Sequence, residues 1–140
     1  MSMHEYLLRI RLLERAIRHK EMRLEQLRAC LLPAGIRYDL DRVQTSPADR
    51  LAEVSAETIE LERQIDVMKA ERAHRLIVAG HLIDQLESET DKLVVTAYYI
   101  AGEPMARVAE DVQYSVRQTR RIKNRALEKM SQMSAFDVLH

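Results

Sequence analysis

A heptad stripe opens the chain. From Met3, apolar residues recur at Tyr6, Ile10, Leu13, Ile17, Leu24, Leu27 and Leu31. With Lys20 in the remaining place, the spacing alternates three and four residues through four heptads. That spacing keeps one narrow face of an α-helix apolar, and so long a face needs another helix to cover it. Ser2 and Glu5 form a capping box at its head, hydroxyl and carboxylate each meeting an otherwise unpaired backbone N–H. Lys20 stands where a leucine is expected. A lone polar seam residue either fixes register or lays its stem along the seam with its ammonium in water.

Pro33 and Gly35 end this helix, and residues 32–45 read as a connection. A second helix begins at Ser46-Pro47, with serine as cap, proline in the first turn and Asp49 near the positive end of the helix dipole. Its seam runs Leu51, Val54, Thr58, Leu61, Ile65, Met68, then shifts through Arg72 to Leu76, Ala79, Ile83 and Leu86, a four-residue stutter. At the standard rise the two helices would be on the order of 45 and 60 Å long. Two long helices with complementary stripes and a reversing loop read as an antiparallel coiled-coil helical hairpin over residues 1–87, alone or in a dimer. The expected oligomer seam is Ile10, Leu13, Ile17, Leu24, Leu27 and Leu31 with Leu61, Ile65 and Met68, and a homodimer is the favoured assembly.

The acidic run Asp84 to Asp91 marks a hinge. Beyond it the heptad pattern gives way to short elements with their own caps. A helix is expected from about Ser88 to Ala101, closed by Gly102, then a short one from Met105 to Asp111 opened by Pro104. The turn Val112-Gln113-Tyr114 leads to Ser115, whose capping box with Gln118 starts the last helix. Short helix, tight turn and capped basic helix make the helix-turn-helix pattern. The fold class is therefore all-α: the hairpin over 1–87, then a helix-turn-helix DNA-binding domain over 88–140. Three glycines, three prolines and no alternating β-rich run support that class.

Charge is uneven along the chain. Overall, 22 basic and 22 acidic residues cancel. Residues 84–114 carry two basic against seven acidic groups, and residues 115–140 carry six against two. An acidic block followed by a basic one points to a polyanion contact near the end. At 100° per residue, Thr119, Ile122, Ala126 and Met130 share one face of the last helix. The opposite face presents Arg117, Arg121 and Asn124, flanked by Gln118, Arg120 and Arg125, with Lys123 towards the edge of the inner face. Arginine matches guanine O6 and N7 with a bidentate fork, and asparagine pairs both ways with adenine. The flanking cations suit phosphates. These seven residues, with Ser115 as helix cap, form the expected contact with double-stranded DNA.

Other functions find little support. His74 and His81 lie two helical turns apart, roughly 10 Å along the axis, too far for one metal ion. No nucleophile elbow, glycine-rich phosphate loop or Cys/His ligand spacing occurs. The expectation is a non-enzyme with no metal and no cofactor. The single cysteine, Cys30, suits a reducing cytoplasm, and no run is long and apolar enough to suggest a membrane partner.

The run YSVRQTRRIKNRALEKM, Tyr114 to Met130, resembles the promoter-reading end of bacterial sigma factors, their region 4 type of helix-turn-helix. The likeness falls on Ser115 as cap, on Arg117, Arg120 and Arg121 as DNA-facing positions, and on Ile122, Ala126 and Leu127. With LVVTAYYIAGEPMARVAEDV before it, the chain is similar to phage-encoded, sigma-like regulators of Gram-positive bacteria, the group of the ArpU and RinA late-transcription activators. Gln113 stands where that group often has glycine, and Pro104-Met105-Ala106-Arg107 stands where an aromatic-acidic helix start is common. The resemblance implies a sequence-specific transcription regulator in the cytoplasm of a bacterial host, acting at promoters with RNA polymerase as a partner. The alternative is an oligomeric phage DNA-packaging or structural protein, in which the coiled coil builds a ring.

Overall fold

The computed structural model describes residues 1–31 and 46–133. The expected connection over 32–45, with Pro33 and Gly35, lies outside the described residues, as does the end of the expected DNA-binding domain beyond 133. All the regular structure among the described residues is helical. Among the described residues five α-helices follow one another: α1 (Met3–Cys30), α2 (Pro47–Asp84), α3 (Glu89–Val95), α4 (Met105–Val112) and α5 (Val116–Ser131). None of them is long and apolar enough to cross a membrane. The reciprocal box at the head of α1 is formed: Ser2 N–H donates to Glu5 at 3.0 Å and Glu5 N–H to Ser2 Oγ at 3.1 Å. Ser46 Oγ accepts from Asp49 N–H at the head of α2.

Packing divides the chain into two compact units. The first combines Met1–Glu14 with Glu71 onward, and the second is Arg15–Ala70. The second unit holds the middle of both long helices. Ile17, Leu24, Leu61 and Ile65 are buried together, with Leu27 and Met68 against them. Glu21 pairs with Lys69 at 3.4 Å and Arg28 with Glu62 at 2.8 Å, so partners descend α2 as α1 ascends and the two segments run antiparallel. These pairs are about half exposed and add little stability each; the apolar cluster holds the unit. Lys20 neither lies bare in the seam nor escapes to water. Its ammonium donates to Gln64 Oε1 at 2.8 Å, and Gln64 in turn donates to Glu60. The seam residues expected to join chains are thus used within one chain. Ile10, Leu13, Ile17, Leu24, Leu61 and Ile65 are buried, and Leu27, Leu31 and Met68 are half-buried.

The other unit has a larger core. Tyr6, Leu7 and Ile10 of α1 and Val78, Leu82 and Ile83 of α2 share it with Val95, Tyr99, Ala126, Leu127 and Met130. The boundary expected at 87/88 falls inside this unit. The physical reason is area: three short helices bury too little apolar surface alone, and the stuttered end of α2 and first turns of α1 supply the rest. A second cluster of Val94, Val108 and Ile122 joins α3, α4 and α5.

Two local departures from regular helix shape this unit. After α3 the chain does not continue as α-helix to Ala101 but widens into a π-helical turn, Thr96–Ile100. Ala101 N–H reaches Thr96 O and Glu103 N–H reaches Ala97 O, and Gly102 then leaves the helix with φ 73°. Arginines from the long helices take up carbonyls in this turn and just beyond it. Arg11 donates to Tyr98 O at 2.6 Å and to Glu103 O at 2.9 Å, and Arg72 to Ile100 O at 3.4 Å. The second departure is Gln113, at φ 62° and ψ 38°, which ends α4 in the left-handed conformation. Gln113 N–H bonds Glu110 O and Tyr114 N–H bonds Ala109 O, the paired bonds of a Schellman motif built on glutamine where glycine is usual.

Candidate nucleic-acid interface

α5 owes its position to its caps and its apolar face. Ser115 Oγ accepts from Gln118 N–H at 3.1 Å, starting the helix right after the Gln113–Tyr114 turn. The return bond of a full capping box is not made, so the Gln118 amide has no partner among the described residues. Thr119, Ile122, Ala126, Leu127 and Met130 are buried. At the far end Lys129 reaches Asp91 at 3.3 Å; that carboxylate is buried at the N-terminus of α3, where the helix dipole also favours it. α5 is therefore held along its length and cannot roll without breaking a core and an ion pair.

With the inner face fixed, the outer face follows by geometry. Arg117, Gln118, Arg120, Arg121, Asn124 and Arg125 are all exposed. Arg117, Arg121 and Asn124 form the outermost line, with Gln118 and Arg125 on one flank and Arg120 on the other. None of the four arginines makes an ion pair with a described residue, whereas Arg9, Arg28, Arg63, Arg72, Arg75 and Arg107 all do. Four guanidinium groups on one rigid face, none in an ion pair with a described residue, give a positive local potential. Glu128 falls on the outermost line one turn beyond Asn124 and ends the basic stretch.

Lys123 stands apart from the other expected contacts. It is half-buried, with Nζ 5.1 Å from the Tyr98 ring centre and 5.9 Å from that of Tyr99. Burial first, and the charge of Arg120 second, hold its ammonium below the ordinary lysine range. Arg11 lies over the same Tyr98 ring at 4.3 Å, and Tyr98 meets Tyr99 edge-on at 4.9 Å. Lys123 thus supports the inner flank of α5 rather than its outer face. Buried Tyr99 bonds His4 Nδ1 at 2.7 Å, and burial pushes its phenol well above the ordinary tyrosine range.

Tyr114 is a surface feature that sequence reasoning passed over as part of the turn. It is 46 % exposed and lines a groove of about 300 Å³ with Gln118, Arg121, Ile122 and Arg125. Positions 118, 121 and 125 fall on one helical stripe, whereas Tyr114 precedes the extended Ser115 cap, so helical periodicity gives no signal for it. Among the described residues no three His, Cys, Asp or Glu side chains gather as a metal site would require. Comparison with protein-family models, curated proteins and solved structures finds no match to this chain.

Proposed function

We propose that this protein is a sequence-specific, double-stranded-DNA-binding transcription regulator. In this reading α4, the Gln113–Tyr114 turn and α5 act as a helix-turn-helix, with α5 entering the major groove. The observation that carries it is the outer face of α5: four exposed arginines in no ion pair with a described residue, beside Gln118 and Asn124, on a helix whose inner face is locked in a core. Arg117, Arg121 and Asn124 read base edges, Arg120 and Arg125 hold phosphates, and Lys123 positions the helix. The antiparallel helix segments 15–30 and 47–70 present a coiled-coil surface to a partner. The seam supports pairing within one chain, so self-association would have to use other surface. The sigma-like pattern over Tyr114 to Met130 supports a phage-encoded regulator acting at promoters with RNA polymerase, in the cytoplasm of a bacterial host.

The test is a titration of the full chain with duplexes selected from random DNA, at several salt concentrations. A selected site bound at least a hundredfold more tightly than a scrambled one supports the reading. So does a log–log salt slope of about two to four, as expected if a few phosphates are neutralised. Binding that is weak, salt-independent and equal on both duplexes would overturn it.

A further inference from the structure

The groove beside α5 has a composition unlike the rest of the basic face. Its lining includes the Tyr114 ring and the edge of Ile122, which is only 8 % exposed, with Gln118, Arg121 and Arg125 beside them. The Schellman bonds at Gln113 fix where Tyr114 leaves the turn, and the Ser115 cap fixes where Gln118 begins its helix. Neither the Gln118 amide nor the Tyr114 hydroxyl has a hydrogen-bond partner among the described residues. An exposed aromatic ring is a poor element for a surface meant only to hold phosphates. A glutamine amide matches N6 and N7 of adenine, and an apolar surface matches the thymine C5 methyl.

We infer that this groove reads one A·T base pair. Gln118 makes the bidentate contact to adenine, accepting from N6 and donating to N7, and the methyl of the paired thymine rests on Tyr114 and Ile122. Arg125 at the rim holds the adjoining phosphate. The inference rests on α5 binding duplex DNA in its major groove, and it adds what one part of that helix recognises.

The experiment replaces each thymine of the selected duplex, one at a time, with deoxyuridine. This removes the methyl and keeps every base-pairing group. One thymine position should weaken wild-type binding about fourfold, the worth of one buried methyl. That sensitivity should vanish in Tyr114→Ala and persist in Tyr114→Phe, which keeps the ring. Replacing the paired adenine with 7-deazaadenine should cost the wild type about fivefold and Gln118→Ala nothing further. If no thymine position responds while selected DNA is still preferred, the groove does not read a methyl and the inference fails alone. It fails in the same way if the response survives in Tyr114→Ala. A protein that never distinguishes selected from scrambled DNA overturns the helix-turn-helix reading, and this inference with it.

Discussion

Replacing the arginines of α5 one at a time separates reading from anchoring. Arg117 and Arg121 lie one turn apart on the outermost line, just after the Ser115 cap, where a recognition helix meets base edges. Arg120 and Arg125 sit on the flanks. All four are exposed and pair with no described acid, so each change to alanine breaks no internal ion pair and should move folding stability by no more than about 0.5 kcal/mol. Loss of binding can then be assigned to the interface. A bidentate guanine contact is worth about 1–3 kcal/mol, so Arg117→Ala and Arg121→Ala should each weaken the selected site roughly 5- to 150-fold. They should relax preference at one base pair and leave a scrambled duplex much less affected. Arg120→Ala and Arg125→Ala should weaken both duplexes alike and lower the salt slope by about one ion. The assay is fluorescence anisotropy on both duplexes at several salt concentrations. Equal losses on both for Arg117→Ala and Arg121→Ala would refute the assignment and reduce α5 to an electrostatic anchor.

Gln113→Gly should raise stability by about 0.5–1 kcal/mol in urea melts, because glycine relieves the left-handed strain but loses more chain entropy on folding; an unchanged midpoint would mean that Gln113 carries no net strain. Lys129→Met should cost about 1 kcal/mol by stranding the buried Asp91 carboxylate, and the double variant with Asp91→Asn should recover most of it; additive losses would show that the pair is not coupled. Burial raises the phenols of Tyr99 and Tyr6 above their ordinary value of 10, so unfolded tyrosines ionise first. Stability present below pH 10 is then lost as pH rises, by up to about 1.4 kcal/mol per pH unit for each phenol, and Tyr99→Phe should make the alkaline decline shallower. A fragment of residues 88–133 lacks Tyr6, Leu7, Ile10, Val78 and Leu82 from its core and should show no cooperative melt by circular dichroism; a two-state transition would restore a boundary near residue 88.

Much of the helical layout is legible in the sequence because caps and periodicity are local. Ser2 with Glu5, Ser46 with Pro47 and Ser115 announce helix starts by chemistry acting within three residues, and each does so in the structure. The turn at Gln113 is legible from spacing, although a glutamine gives no sign that it will take a left-handed φ. The inner and outer faces of α5 follow from its period. The partition of the chain is not legible, since a heptad seam says that a helix must be covered without saying by what. Met3, Tyr6 and Ile10 read as one seam with Ile17 and Leu24, yet the former group shares its core with Tyr99 and Met130. Lys123 is obscured for the same reason. Its place at the edge of the inner face is visible, but the Tyr98 ring that receives it depends on a π-helical turn that no local pattern specifies.

Both departures from regular helix lie in the segments that pack around α5. The π-helical turn gives up regular i→i−4 bonding, and Gln113 holds a conformation that a side chain disfavours by about 1 kcal/mol. Each has an identifiable return. The widened turn sets Tyr98 where Arg11 and Lys123 both meet its ring, while the Tyr98 carbonyl binds Arg11. The left-handed turn brings Tyr114 out beside Gln118 at the start of the exposed face. Reading a base edge demands a helix fixed to a fraction of an ångström, and the short helices after residue 88 have little apolar area of their own with which to fix one. Drawing on the first turns of α1 and the last turns of α2 enlarges the core around Ala126, Leu127 and Met130. It leaves the opposite, arginine-bearing face free of any structural duty.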